Sequence, residues 1–271
     1  MHFRYDQAGA HRLDAKSSED VFRERGQSWF IVRKRFSTAT DKKYLSFLWL
    51  MIEPLVTALI YLFVFTVLRA RIQPGSIFIG ITLYRVFQSS ILAGTKVVNS
   101  VDGGITCERV STNVIIKGEL FHRSIESLLA TIPTSLILVF GFGINWEGGI
   151  FYIFIAQIMA ILFLGVGLIF SRVIQKIPDL GAILSWILRL GFFISPAIIP
   201  MWKMRGLHFE FNLYNPFAYF SEGTRMIAGE TSMFDSFNTW LIVTWISSLT
   251  LIAAWAFYRF DNLRWRVSTW S

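Results

Sequence analysis

Charged side chains inside otherwise apolar stretches are the residues of this sequence best suited to do chemistry. Glu222 and Arg225 stand three residues apart in the segment YNPFAYFSEGTRMIAGE, a spacing that lets them pair on a helix. Arg85 and Arg189 lie inside longer apolar runs, where a guanidinium normally faces a protein interior or an aqueous path. Because a guanidinium matches carboxylate and phosphate geometry, these residues could form ion pairs or bind an anionic ligand.

The patterns of catalytic and nucleotide-binding sites are missing from the sequence. It contains no G-x-x-x-x-G-K-[ST] phosphate loop, and its four histidines and single cysteine, Cys107, show no metal-ligand spacing. No paired carboxylates or Ser/His/Asp order suggests catalysis. We therefore expect no enzyme, metal or cofactor on this chain. Transport against a concentration gradient would need energy from an ion gradient or from another subunit. Proton-coupled transporters usually carry several carboxylates within their apolar runs, and the few found here disfavour the ion gradient.

Six apolar runs must position these charges. The chain has 271 residues, of which 54% are hydrophobic, and a membrane-crossing helix needs about 20 mostly apolar residues. The qualifying runs are 47–68, 77–98, 125–144, 149–170, 180–199 and 239–257. The sequence therefore predicts an all-α polytopic membrane protein with six transmembrane helices in a domain spanning 47–260. Glu53, near the beginning of the first run, is expected at the inner interface.

The distribution of Lys and Arg predicts the orientation. With the N-terminus inside, the inner segments contain 19 basic residues and the outer segments contain 5. Cytoplasmic segments are the ones enriched in Lys and Arg. Both termini, including a short tail at 261–271, are therefore predicted to be cytoplasmic.

Residues 1–46 are expected to form a cytoplasmic tail and an amphipathic helix. Trp29 and Val32 fall near one face of this helix, which suits a position in the inner membrane interface. A solvated cytoplasmic helix is the alternative. The end of the helix carries the basic residues Arg33, Lys34 and Arg35.

The segment 99–124 is the longest internal connection, too long for a mere turn between helices. Its charges are of both signs, as expected of a loop that docks a soluble partner. A disordered linker is the alternative, against which its apolar residues argue. The charged residues include Asp102, Glu108, Arg109, Lys117 and Glu119.

Several short motifs resemble those of one transporter family. Leu48-Trp49 and Pro54 open the first run, FFISPAIIP ends the fifth, and an NP…R…G pattern follows at 215–229. Their order and spacing resemble the permease subunits of bacterial ABC exporters for O-antigen, capsule and teichoic acid. The chain departs from the family pattern at Leu45-Ser46, at Pro178 and in lacking Phe-Pro after the second run. These departures leave open the subgroup of the family and therefore the cargo.

The resemblance implies a transmembrane subunit in the bacterial cytoplasmic (inner) membrane. It would form a homodimer and bind two copies of an ATPase subunit, which would hold ATP and Mg while this chain holds no cofactor. The loop 99–124 would carry the coupling contact. The cargo would be a lipid-diphosphate-linked polysaccharide, with O-antigen favoured.

The resemblance also suggests roles for single residues. Arg33, Lys34 and Arg35 would receive the lipid headgroup at the inner interface. A path for sugars needs cations and flat apolar platforms, although each aromatic residue alone is better explained by packing or lipid contact. The candidates for the path are Arg85, Arg189, Tyr84, Phe87, Tyr61 and Phe65.

The outer segment 200–238 contains a short helical element. Asn215 suits its cap and Pro216 its first turn, whereas Gly223 and Gly229 are expected to break or end it. The prediction is a re-entrant outer gate helix between spans 5 and 6, and a helix lying on the outer surface is the alternative. The gate residues are Asn215, Pro216, Phe220, Glu222 and Arg225.

Other functions stay open at this stage. The same spans would suit an ABC exporter of capsular polysaccharide, teichoic acid, lipid or drug. A polytopic membrane glycosyltransferase would need clustered acidic residues for a metal, and Asp102 and Asp179 are isolated. A passive channel or a membrane anchor for a complex is a third class.

Overall fold

A computed structural model describes residues 3–6, 9–12, 25–33, 52–53, 55–57, 59–60, 63–64, 73–97 and 112–262. Near the N-terminus, strands β1 (Phe3–Asp6) and β2 (Gly9–Arg12) pair antiparallel, with Phe3 opposite Arg12. The sequence did not suggest this pairing. All longer elements are helical.

The helices follow in chain order. Residues 25–33 form α1, and the described residues between 52 and 64 are helical and are called α2. The later helices are α3 (Pro74–Thr95), α4 (Thr112–Phe142), α5 (Trp146–Lys176), α6 (Asp179–Ile194), α7 (Leu207–Leu213), α8 (Pro216–Ile227) and α9 (Thr239–Asn262). Short 3₁₀ turns lie at Met201–Lys203 and Phe234–Ser236.

Four helices of the described residues are long and apolar enough to cross a membrane: Pro74–Thr95, Val114–Phe142, Trp146–Lys176 and Thr239–Tyr258. They correspond to the second, third, fourth and sixth predicted runs. Most of the first run lies outside the described residues. The chain is thus a multi-pass membrane protein, and the total of six spans stays a prediction.

The fifth predicted run is helical over only part of its length. Helix α6 has 16 residues and ends at Ile194, whereas the apolar run continues to 199. Ser195 adopts an extended conformation, with φ −75° and ψ 164°. Because Pro196 disfavours helical geometry in the residue before it, the helix stops there.

The predicted loop 99–124 is wrong in its second half, because helix α4 already includes those residues. The helix begins at Thr112 and has 31 residues, more than a membrane needs. Its first turns pack against α1, where Ser28 Oγ donates a hydrogen bond to the Val114 carbonyl over 3.2 Å. Buried Val114, Ile115 and Ile116 explain why these turns are helical rather than a loop.

Helices α3 and α5 form the centre of the bundle and approach closely through glycines. A Cβ added to Gly94 or to Gly167 would collide with the backbone of the other helix. Small residues allow this close packing of membrane helices. The main core of buried side chains surrounds this contact and includes residues of α3, α4, α5 and α9.

The bundle has two distinguishable ends. One end contains α1 and the beginning of α4, and we call it the α1 end. The other contains α8 and the beginnings of α3 and α5, as Gly148 of α5 lies against Ala228, and we call it the α8 end. The charge distribution predicts that the α1 end is cytoplasmic.

Candidate functional site

Helix α8 begins as its sequence predicts. Asn215 is its N-cap and accepts a hydrogen bond from the Phe217 N–H over 3.0 Å, and Pro216 follows in the first turn. Gly229, with φ 76°, lies just beyond the helix end, in a conformation that glycine adopts readily. The prediction for Gly223 is wrong, because the helix continues through it. Gly223 packs against the ring of Phe234, which leaves little room for a side chain.

Glu222 and Arg225 form the predicted ion pair. Arg225 Nη1 lies 2.7 Å from Glu222 Oε1, and both side chains are fully buried. A buried pair must have its remaining donors and acceptors satisfied, since each charge has lost its water. The pair therefore depends on its surroundings.

The surroundings of the pair come from three other segments. Arg225 donates to the carbonyls of Ser76 in α3 and Pro196 after α6, over 3.1 and 2.7 Å. Glu222 accepts from the Met201 N–H and the Met233 N–H, over 3.2 and 3.1 Å. We call Glu222, Arg225 and these bonded groups the α8 hub. It ties together segments up to 149 residues apart, which local spacing could not reveal.

Gly80 makes room for the α8 hub. A Cβ at this position of α3 would collide with the Ala197 carbonyl and with the guanidinium of Arg225. The guanidinium therefore reaches α3 only because residue 80 has no side chain. No local pattern distinguishes this glycine from the other glycines among the 19 in the sequence.

Phe220 and its neighbours form a ring cluster with the predicted platform residues. The Phe217 ring lies 5.1 Å from Tyr84 and 5.6 Å from Phe87. The hydroxyl of Tyr84 donates to the Leu188 carbonyl over 2.6 Å, and its side chain is buried. Phe220 faces the same cluster through Phe163. These rings are core packing in this structure, and their role along a path stays a prediction.

Arg85 pairs with Glu53, which corrects the expected place of Glu53. The Arg85 guanidinium contacts the Glu53 carboxylate and donates to Thr57 Oγ1 over 2.7 Å. Arg85 lies eleven residues after Pro74 in a helix of 22, so it is near mid-depth. Because Glu53 contacts Arg85, we place Glu53 near mid-depth as well. This contact is a better guide to its depth than the limits of the apolar run, which suggested the interface.

Arg189 lies apart from the other predicted path residues. Its guanidinium carbon stands 5.1 Å from the ring centroid of Trp186 on the same exposed face of α6. Cation–π contact of this kind stabilises a cation that lacks a full water shell. The structure does not bring Arg189 into contact with Arg85.

Of the remaining predicted site residues, the structure describes three. Arg33 is exposed at the end of α1; Lys117 is exposed on α4, and Glu119 beside it is buried. The other predicted residues, Lys34, Arg35, Tyr61, Phe65, Asp102, Glu108 and Arg109, lie outside the described residues. In the part of the chain that the structure describes, no group of three His, Cys, Asp or Glu could hold a metal.

The fold and the site together define a class: a helical, multi-pass membrane protein with a buried polar hub at one end. Within that class, the chain belongs to the ABC-2 type transporter family, whose model matches residues 26–228. The resemblance inferred from the motifs is confirmed at the level of this family.

Two relatives agree with this family. The chain is similar to the O-antigen export system permease protein RfbA of Klebsiella pneumoniae, at 29% identity over 185 residues, covering 62% of this chain and 66% of the relative. It is 23% identical to the protein of the same name from Myxococcus xanthus over 187 residues, covering 67% and 71%. The chain thus spans about two thirds of the length of these curated relatives.

Proposed function

We propose that this chain is the transmembrane subunit of an ATP-driven exporter that moves a lipid-diphosphate-linked polysaccharide across the cytoplasmic membrane, with O-antigen as the cargo. The observation that carries the proposal is the family match over 26–228 together with two relatives named as O-antigen export permeases. A permease moves its cargo without converting it chemically. The missing phosphate loop in the sequence agrees with a transport subunit that relies on another chain for ATP.

The partner in this proposal is a separate ATPase subunit. Two copies would bind two copies of this chain and would hold the ATP and Mg. The α1 end supports this arrangement, because the first turns of α4 extend beyond the length that a membrane needs and carry α1 against them. The proposed contact surface is the segment 99–124 and the beginning of α4, on the cytoplasmic side.

The element at the α8 end fits a re-entrant outer helix. Helix α8 has 12 residues, too few to cross a membrane, and nine of them are buried. A helix lying on the outer surface would leave one face exposed. We propose that α8 closes the outer end of the path and that it moves together with the segments that the α8 hub joins.

The test is export by the complete assembly. The chain and a candidate ATPase are expressed in a strain that makes lipid-linked O-antigen but lacks its own exporter, and surface O-antigen is measured. We expect surface glycan to be restored only when both subunits are present. An ATPase with its phosphate-loop lysine replaced is the control and should give none.

Two results would overturn the proposal. One is that no ATPase co-purifies with the chain. The other is that the purified assembly, in nanodiscs, shows the same ATPase rate with and without lipid-linked O-antigen. Stimulation by capsular polysaccharide, teichoic acid precursor or lipid instead would reassign the cargo within the same family.

A further inference from the structure

The Arg85–Glu53 pair lies where hydrocarbon would be most costly for it. Arg85 is eleven residues from Pro74 and ten from Thr95, or about 15–17 Å from either end of α3 at the rise of an α-helix. The hydrocarbon core of a bilayer is about 30 Å thick. A glutamate side chain is too short to reach the interface from this depth, so snorkelling cannot relieve its charge.

The pair is nevertheless partly exposed. In the single chain, the Arg85 side chain is 30% exposed and the Glu53 side chain is 65% exposed. Charged side chains within a membrane face the bundle interior or a water-filled cavity, and a lipid-facing pair would be very unfavourable. The exposed side of this pair therefore needs water or protein beside it rather than lipid.

A half-exposed face of α3 continues from this pair to the α1 end. Ser89, Leu92 and Lys96 follow Arg85 at intervals of four, seven and eleven residues, which places all four on one side of the helix. We call these four residues the α3 stripe. Near its end, Leu92 and Lys96 line a cavity of about 390 Å³ together with the beginning of α6.

A second guanidinium joins the α3 stripe one turn from Arg85. Arg123 of α4 contacts Ser89 Oγ, and its Nε donates to Ser90 Oγ over 3.1 Å. Its counter-ion is Glu126, at 2.7 Å, with a side chain 30% exposed. The Arg123 side chain is itself only 5% exposed, so it supports the stripe from inside the bundle. Lys96, near the α1 end, and Arg85, at mid-depth, are the two cations of the stripe that a ligand can reach. Both guanidiniums are paired with partly exposed carboxylates.

We propose that the α3 stripe binds the phosphate groups of the lipid-linked substrate, with Glu53 as a counter-ion that the phosphate displaces from Arg85. The proposal rests on the proposed function for the identity of the substrate. Phosphate suits this place because a guanidinium binds phosphate and carboxylate in the same bidentate way, so one anion can replace the other without leaving Arg85 unpaired. Because the Glu53 side chain is 65% exposed in the single chain, its carboxylate has room to move away from Arg85.

The experiment measures binding to the full-length chain in nanodiscs, without an ATPase. The probe is a short polyprenyl diphosphate, and polyprenyl alcohol of the same length is the uncharged control. Inorganic pyrophosphate is a further arm, which tells a lipid-linked phosphate from a free one. Gel filtration of each variant reports folding.

Two single substitutions should shift the affinity in opposite directions. Arg85→Gln removes the guanidinium and should raise Kd about tenfold or more. Glu53→Gln removes the competing anion and should lower Kd. Arg205→Gln, at an exposed cation near the α8 end, should leave Kd unchanged.

A pair that only stabilises the fold predicts a different result. Arg85→Gln and Glu53→Gln would then impair folding alike and would not shift Kd in opposite directions, which would overturn the proposal. The double variant Glu53→Arg with Arg85→Glu keeps a pair of opposite charges and separates the two roles further. It should fold but bind the diphosphate more weakly, and wild-type binding would contradict the assignment. Equal binding of the alcohol would do the same.

Failure of this site and failure of the exporter are distinguishable. Opposite Kd shifts without any ATP-driven export would leave the phosphate site standing and remove the proposed function. Normal export with Kd unchanged in both single variants would leave the exporter standing and remove the site.

Discussion

At the scale of single residues, the Glu222–Arg225 ion pair depends on hydrogen bonds from distant segments, because both side chains are fully buried. The spacing of Glu222 and Arg225 predicted their pairing, because residues three apart on a helix are neighbours. Their bonds to Ser76, Pro196 and Met233 were unpredictable, because these residues are distant in sequence. The depth of Glu53 was also difficult to predict. The limits of the first apolar run suggested a position at the interface, whereas the residue that Glu53 contacts, Arg85, lies at the middle of α3.

Removing the guanidinium of the α8 hub should destabilise the protein strongly. Arg225→Met leaves the Glu222 carboxylate buried and unpaired, which costs about 3–5 kcal/mol. For a chain of this size we expect the apparent Tm to fall by roughly 10 °C. Thermal unfolding of the purified protein measures the shift. Arg205→Met, at an exposed position on the same side, is the control, and an equal shift in both variants would contradict the role of the hub.

Glu230 should make the stability depend on pH. Burial raises the pKa of its carboxyl, and the charge of Arg225 opposes this shift less strongly. The folded protein therefore holds this proton at pH values where the unfolded chain has released it. Stability from this group is present at low pH and is lost as the pH rises from the unfolded pKa through the raised folded pKa.

The variant Glu230→Gln tests this sign. It removes the ionisation, so its apparent Tm should exceed that of the wild type at neutral pH, and the difference should shrink as the pH is lowered. Glu210→Gln, which replaces an exposed glutamate in the same way, is the control for the substitution itself. If the Tm of Glu230→Gln minus that of the wild type instead rose as the pH was lowered, the folded protein would favour the ionised form of Glu230.

At the scale of elements, the sequence predicted which helices exist better than where they end. The long apolar runs predicted four of the helices directly, because a membrane demands a fixed length of apolar chain. The beginning of α4 was missed, since polar residues such as Lys117 mark a loop until packing against α1 is known. The early end of α6 followed from Pro196, a local signal that the apolar run concealed.

The close approach of α3 and α5 should be sensitive to a single methyl group. Gly167→Ala places a Cβ against the Ile91 carbonyl, at a distance that real Cβ atoms do not adopt. Since backbone cannot yield as a side chain can, we expect the helices to separate and the folded yield and apparent Tm to fall.

The matched control for this contact is Gly141→Ala in α4. Its added Cβ would stand 3.6 Å from Ile137 Cγ2, an ordinary contact. It should leave yield and Tm close to the wild type, or raise them slightly through helix propensity. Equal losses in the two variants would mean that helical glycine itself, rather than the α3–α5 contact, is responsible.

At the scale of the whole molecule, two exposed helical faces differ in what they need to contact. Helix α9 exposes apolar side chains over 239–258 without a charge, as suits lipid. Helix α6 exposes a comparable apolar face that carries Arg189 ten residues after Asp179, about 15 Å from the helix start. A cation at that depth is poorly placed against lipid. The predicted homodimer would cover it, so we expect α6 rather than α9 to face the second copy.

Cross-linking between copies tests this arrangement. Leu190 is 61% exposed on α6 and Leu251 is 70% exposed on α9, so the two leucines are matched in type and exposure. In a Cys107→Ser background, Leu190→Cys should give a cross-linked dimer with a short bifunctional thiol reagent in native membranes, whereas Leu251→Cys should remain monomeric. A dimer formed only through Leu251→Cys would place α9 at the interface and expose the α6 face to lipid. If neither variant gave a cross-linked dimer, Arg189 would have to find its partners within one chain. The homodimer would then have to form through another surface.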